Sequence, residues 1–129
     1  MRFSSLLPFC GFLFLLQPVL SQSPAALPAR NGIIDLRGSD LLNQTISLNG
    51  QWNIYWRKLL LPGDTNTIKP GTANFPGLWN NTVVEGNGLT AKGFATYTLT
   101  VLLPAHSRPL AMAVPDFYTS YRLFVNGRE

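Results

Sequence analysis

The stretch ATYTLTVLLP (95–104) is the part of the sequence that decides the fold class. Its side chains alternate along an extended chain, with Ala95, Tyr97, Leu99, Val101 and Leu103 on one side and Thr96, Thr98 and Thr100 on the other. This period of two, in β-branched and aromatic residues, predicts a half-buried antiparallel strand. Pro104 should end the strand because proline cannot donate to a strand ladder.

The same alternation recurs in four other stretches, 45–48, 51–56, 110–114 and 121–125. Asn49-Gly50 separates the alternating runs 45–48 and 51–56, and Asn-Gly in that place is the strongest short-range hairpin signal. We therefore predict a hairpin of 45–48 with 51–56. In the second strand, Trp52, Ile54 and Trp56 should face the core.

The remaining segments are interpreted mainly as loops. Residues 62–74 and 80–93 are rich in Gly, Asn and Thr, with Val83-Val84 a candidate for a short pairing and Lys58–Leu61 for one helical turn. No window of twelve residues after the first segment shows the helical spacing i, i+3, i+4. The prediction is an all-β fold, an antiparallel β-sandwich.

Composition agrees with a single small folded domain. The chain has 129 residues, of which 46% are hydrophobic and only 12% charged, and that is too apolar for a disordered chain. The formal net charge of +4 is spread along the sequence, and only Arg57 and Lys58 are adjacent. A nucleic-acid binder would cluster its basic residues on one face, so we expect no nucleic-acid partner.

The first residues have the order of features of a secretory signal peptide. Arg2 precedes eleven uncharged residues, Leu6–Leu16, and small or branched residues precede a cleavage point before Gln22. A membrane-spanning helix needs about 20 apolar residues, which leaves an uncleaved anchor as the weaker alternative. We predict a signal peptide at 1–21, a linker at 22–32, and an exported sandwich at 33–129 on the periplasmic or extracellular side.

The sequence contains no recognisable catalytic or metal-binding pattern. Cys10 lies inside the predicted signal peptide, so the mature chain can form neither a disulfide nor a cysteine zinc site. His106, the sole histidine, is interpreted as an exposed loop residue. The six carboxylates, Glu85 among them, show no spacing typical of a glycosidase pair and are interpreted as solvated loop groups. We expect no catalytic residue, metal or cofactor in this segment.

The last residues suggest an incomplete sandwich. Asn126-Gly127 should turn a hairpin, but only Arg128 and Glu129 follow. Strand 121–125 would then have an uncovered edge, which natural folds normally avoid. We expect the domain to be truncated at its C-terminus, with a frayed tail on a complete domain as the alternative.

Four motifs in order carry a resemblance to a known family: LNGQWNIYWRKLL (48–60), FPGLWN (75–80), GFATYTLTVLLP (93–104) and LAMAVPDFYTSYRLFVNG (110–127). Together they closely resemble the N-terminal extracytoplasmic module of bacterial receptors with seven transmembrane helices and diverse intracellular signalling domains. The resemblance covers about residues 33–129. It implies a galactose-binding-like jelly roll that senses a ligand, followed by membrane helices and a kinase, cyclase or phosphatase output domain.

The leading domain of family-two glycoside hydrolases has the same architecture and is the principal alternative. Phe75–Trp79 and Val125-Asn126-Gly127 are similar to its motifs, but GFATYTL stands at 93–99 where the hydrolases have a Trp-Tyr-Arg-Arg-like stretch. In both groups the catalytic residues lie in other domains. A third possibility is a free-standing secreted carbohydrate-binding protein.

Aromatic and amide side chains in loops are the candidates for ligand binding. Sugars are held by stacking on aromatic rings with amides nearby, and Trp79, Asn80 and Tyr118 offer such groups for a small ligand of carbohydrate type. The competing interpretation is structural, with Trp79 closing one end of the sandwich.

Overall fold

The computed structural model describes residues 27–105, 108–115, 117 and 119–129. Within them the chain is built almost wholly of strands and irregular segments, which confirms the all-β class. The strands are β1 (Ile33–Asp35), β2 (Gly50–Trp56), β3 (Gly71–Phe75), β4 (Val83–Val84), β5 (Asn87–Gly88), β6 (Ala95–Thr98) and β7 (Thr100–Leu102). Two short 3-10 helices, Asp64–Thr67 and Trp79–Asn81, lie between them.

The centre of the fold is a three-stranded antiparallel sheet in the order β3-β2-β6. Ile54 pairs with Gly71 on one side and with Tyr97 on the other. The predicted strand 51–56 is therefore confirmed, but the predicted hairpin with 45–48 is wrong, because β2 takes its partners from 71–75 and 95–98. Residues 62–74 contain the start of β3 and so are not purely a loop.

The predicted strand 95–103 forms, but it changes partner at Leu99. Its first half is β6, which pairs with β2, and its second half is β7, which pairs with β1. The β1–β7 ladder is parallel, with Ile34 opposite Val101. The prediction of antiparallel pairing was therefore wrong for these two strands. The crossover between them contains most of the described chain, as parallel neighbours require a long connection.

The apolar core consists of two clusters on one face of the central sheet. Trp52 packs against the first, which is formed by Ala29, Ile34 and Leu36. The second is formed by Ile54, Ala73 and Leu89. Trp52 and Ile54 are two residues apart on β2 and so point to the same face, as the sequence predicted. Ile54 is 1% exposed, and burial of such a side chain stabilises a fold by about 1.5–3 kcal/mol.

The opposite face of the sheet is covered near β2 by the segment that follows it. Tyr55 is buried, and its hydroxyl lies 3.5 Å from the carbonyl oxygen of Thr65. Thr96 accepts a hydrogen bond from the Leu60 amide at 2.9 Å and donates one to the Lys58 carbonyl at 2.8 Å. Residues 58–61 form no helical turn, and the nearest helical segment is Asp64–Thr67.

Three two-residue turns carry glycine as their second central residue. They are Asn31-Gly32, Glu85-Gly86 and Asn126-Gly127, each with two positive φ angles, the geometry of a type I′ turn. The candidate pairing at Val83-Val84 is confirmed as hairpin β4–β5 around Glu85-Gly86. The turn predicted at Asn126-Gly127 is also present, bounded by a bridge between Val125 and Arg128.

The ends of the described region depart from the sequence expectations. Of the predicted linker 22–32, residues 27–32 are described, and Ala29 is buried and bonded to Asn49 and Gln51, so this part of the stretch packs against the start of β2. The stretches 110–114 and 121–125, predicted as strands, join no ladder apart from the Val125 bridge. Their alternating apolar side chains stay exposed, among them Leu110, Met112, Tyr121 and Leu123.

Candidate functional site

A cleft lies beside the sheet, at the end of the β2–β3 ladder. β3 starts opposite Ile54, whereas β2 continues to Trp56, so the sheet narrows there and leaves a gap. The gap has a volume of about 230 Å³. Three chain segments line it, 54–58, 69–71 and 84–89, and they contribute among others Trp56, Lys58, Lys69, Val84, Glu85 and Asn87.

Hairpin β4–β5 forms one wall of the cleft. A side chain at Gly71 would overlap Val84, so glycine at the start of β3 lets the hairpin lie against the sheet. The turn at Glu85-Gly86 then carries the Glu85 side chain to the rim. Asn87 donates a hydrogen bond from Nδ2 to the Glu85 backbone carbonyl at 3.2 Å, which holds the Asn87 amide against the turn.

The cleft carries charge of both signs on an apolar floor. Lys58, just after β2, and Lys69, just before β3, are exposed cations. Glu85 is an exposed anion on the β4–β5 hairpin. Ile54, Val84 and Leu89 provide the apolar part of the lining. Neither ion pair found among the described residues, Arg37–Asp35 or Arg122–Glu129, involves a cleft residue.

An aromatic cluster adjoins the cleft through Trp56. It is formed by Trp52, Trp56, Phe75, Trp79 and Tyr97, whose ring contacts run along one face of the sheet. The Trp56 and Trp79 centroids are 4.9 Å apart at 79°, an edge-to-face pair. Phe75 contacts Trp52 and Tyr97 with centroids at 4.3 and 5.3 Å. Edge-to-face and tilted contacts of this kind stabilise a fold beyond the area that they bury.

Trp79 and Tyr97 are joined by a hydrogen bond inside this cluster. The Trp79 indole Nε1 donates to the Tyr97 hydroxyl at 2.9 Å. Burial raises the pKa of Tyr97, and the hydrogen bond from Trp79 opposes that rise. The pair satisfies two polar groups within an apolar region, as buried indoles and phenols generally require.

The residues predicted to bind ligand occupy three different situations. Trp79 is half-buried and packs against the second core cluster. Asn80 is exposed on the same 3-10 helix. Neither of them lines the cleft. Tyr118 and His106 lie outside the described residues, as do Cys10 and the predicted signal peptide.

The charged residues of the cleft were not singled out from the sequence. Glu85 was interpreted as a solvated loop carboxylate, and Lys58 and Lys69 as scattered surface charge. These residues come together only because Ile54 pairs with Gly71 and because the β4–β5 hairpin packs on β3. No local sequence signal reports that register.

Two features are absent from the described part of the chain. No group of three or more His, Cys, Asp or Glu side chains there is close enough to hold a metal ion. No helix among the same residues is long and apolar enough to cross a membrane.

The chain was also compared with known proteins. No family model, no curated protein and no solved structure matched it. The resemblance to the receptor module therefore depends on the four sequence motifs alone.

Proposed function

We propose that this chain is the extracytoplasmic ligand-sensing domain of a membrane signal-transduction receptor. The observation that carries the proposal is the ordered set of four motifs between residues 48 and 127, which resembles the sensory module of seven-helix bacterial receptors. The export signal inferred at 1–21 agrees with a position outside the cytoplasm. The all-β fold and the cleft beside Trp56 are compatible with this role.

The proposal includes a jelly-roll sandwich as the complete domain. The central sheet would form one layer, with both core clusters on its inner face. The alternating residues of 110–114 and 121–125 have the pattern of strands for a second layer. Phe117 already contacts Phe75 of the central sheet, with ring centroids 5.6 Å apart.

The mechanism of such a domain is binding without chemistry. A small ligand would shift the module between two arrangements relative to the membrane helices of the same protein. It can do so only if it binds one arrangement more tightly than the other. Output would then come from a cytoplasmic signalling domain.

The reading frame beyond codon 129 tests this proposal. We expect seven apolar stretches of about 20 residues each, followed by a signalling domain. A downstream catalytic barrel with two acidic residues would instead identify an accessory domain of a glycoside hydrolase. A stop codon soon after residue 129, with sugar binding by the secreted chain, would identify a free carbohydrate-binding protein. Either result would overturn the receptor proposal.

A further inference from the structure

The sign of the charge in the cleft indicates the sign of its ligand. Lys58 and Lys69 contribute two positive charges and Glu85 one negative charge, so the lining has a net charge of +1. Lys58 follows β2 and Lys69 precedes β3, its pairing partner. Neither lysine forms an ion pair among the described residues. Two lysines that line one gap, with no ion pair to any described residue, favour a single anionic group between them.

The size and apolar part of the cleft indicate a small ligand with a carbon face. Its volume of about 230 Å³ lies below the roughly 300–1,000 Å³ of pockets that hold drug-sized ligands. Trp56 and Val84 offer apolar surface to one side of such a ligand. Sugar rings present C–H faces that pack on indole surfaces.

The remaining polar groups suit hydroxyls better than a second anion. Glu85 can accept hydrogen bonds from hydroxyl groups but would repel another carboxylate. The Asn87 Nδ2 group already donates to the Glu85 carbonyl, and its Oδ1 oxygen can accept from a hydroxyl. The cleft therefore combines a cationic side, an apolar face and a side that accepts from hydroxyls.

We propose that the cleft between Lys58 and Lys69 binds a sugar acid of one ring, a hexuronate, with its carboxylate held by the two lysines. The sugar acid would be the ligand of the sensing domain, so its biological role depends on the proposed function. The binding test does not depend on that function. Trp56 is the aromatic platform at this site. Trp79 supports Trp56 by its edge-to-face contact.

The test is calorimetric titration of the purified full-length protein with D-glucuronate and D-galacturonate, and with D-glucose and D-galactose as uncharged counterparts. We expect the uronates to bind more tightly than the neutral sugars, and their affinity to fall as salt rises. Lys58→Gln and Lys69→Gln should each weaken uronate binding about two- to fivefold, the range of exposed charge pairs. Glu85→Gln should strengthen it.

Lys92→Gln is the matched control, because Lys92 is exposed but does not line the cleft. It should leave the affinity unchanged, and all four variants should melt as the wild type does. Equal losses in K92Q and the cleft variants would indicate general charge attraction and overturn the inference. Equal binding of neutral and acidic sugars, or no binding of either, would also overturn it. The receptor proposal is decided separately by the downstream reading frame.

Discussion

Tyr97 lies where the aromatic side chains of the central sheet meet, and its phenol is held neutral by its surroundings. Burial raises its pKa above the ordinary value of about 10. Because the pKa of Tyr97 is higher in the folded state than in the unfolded state, its neutral phenol contributes to stability. That contribution is complete below about pH 10 and is lost as the pH rises through the folded-state pKa. Ionisation of Tyr97 should therefore weaken the fold only in alkaline solution.

The first prediction compares Tyr97→Phe with the wild type in urea unfolding between about pH 9 and pH 11. The variant lacks the ionisable group, so its free energy of unfolding should fall less over this range. Trp79→Phe removes the hydrogen bond that lowers the pKa of Tyr97, so the tyrosinate absorbance of Tyr97 should appear at higher pH. The prediction would be contradicted if the free energy of unfolding fell equally in Y97F and the wild type over this alkaline range.

Asp35 and Arg37 provide a second titration, at acid pH. The Arg37 side chain donates two hydrogen bonds to the Asp35 carboxylate, at 2.9 and 2.6 Å. These two hydrogen bonds, together with one from the Arg37 backbone amide, lower the pKa of Asp35 to about 2. A depressed pKa contributes stability above the unfolded value, and that stability is lost as the pH falls from about 4 towards 2.

The second prediction is that Arg37→Gln returns the pKa of Asp35 towards its usual value of about 3.9. The measurement is an NMR titration of the Asp35 carboxyl carbon. Arg30→Gln is the control, since Arg30 makes no ion pair among the described residues. A pKa for Asp35 that does not change in R37Q would show that the pair is not formed in solution.

Gly50 determines how β2 begins. Its φ of +122° is unfavourable for any residue with a side chain. A Cβ placed there would lie 2.5 Å from the Ala29 backbone. Ala29 is hydrogen-bonded to Asn49 and Gln51 at 2.8 Å, so glycine lets the chain at 29 lie against the start of β2. This is also why Asn49-Gly50 makes no type I′ turn.

The third prediction is that Gly50→Ala lowers the free energy of unfolding by about 1–3 kcal/mol, through backbone strain and the contact with Ala29. Gly38→Ala is the control, because a Cβ at Gly38 meets no atom within 4 Å. It should change stability by less than about 1 kcal/mol. Denaturant unfolding of both variants checks this, and equal losses would show that the close approach at Gly50 is unimportant.

The strands show which parts of the fold alternation can predict. Residues 51–56 and 95–102 were located correctly because apolar period two is a local property of the sequence. β3 was missed because its residues, GTANF, are mostly poor strand formers that show no alternation. Pairing depends on contacts distant in sequence, so the partner of β2 was assigned to the nearest alternating run, 45–48.

The candidate site was less predictable than the strands for the same reason. Trp79 was singled out as an aromatic residue in a loop, but its contact with Trp56 and its hydrogen bond to Tyr97 depend on how separate segments pack. Lys58, Lys69 and Glu85 line one cleft because of the register between β2 and β3 and because of the short β4–β5 hairpin, whose two strands have two residues each. A sequence motif would not have connected them.

At the scale of the whole molecule, apolar surface is concentrated in the C-terminal part of the described chain. Leu110, Met112, Val114, Tyr121, Leu123 and Val125 are between 37% and 54% exposed. A segment with alternating apolar side chains and few ladder hydrogen bonds is a template for pairing with another strand. An exposed apolar surface of this kind promotes association.

The last prediction is that the isolated chain self-associates through this surface as its concentration rises, and that Leu123→Lys combined with Val125→Lys reduces the association. The introduced charges oppose strand pairing between copies, and both positions are exposed, so the melting temperature should change little. Leu59→Lys is the control, since Leu59 is 76% exposed and lies outside residues 110–125 in the sequence. Sedimentation velocity over a range of concentrations measures the effect. A chain that stays monomeric, or an equal reduction by L59K, would show that residues 121–125 do not form the associating surface.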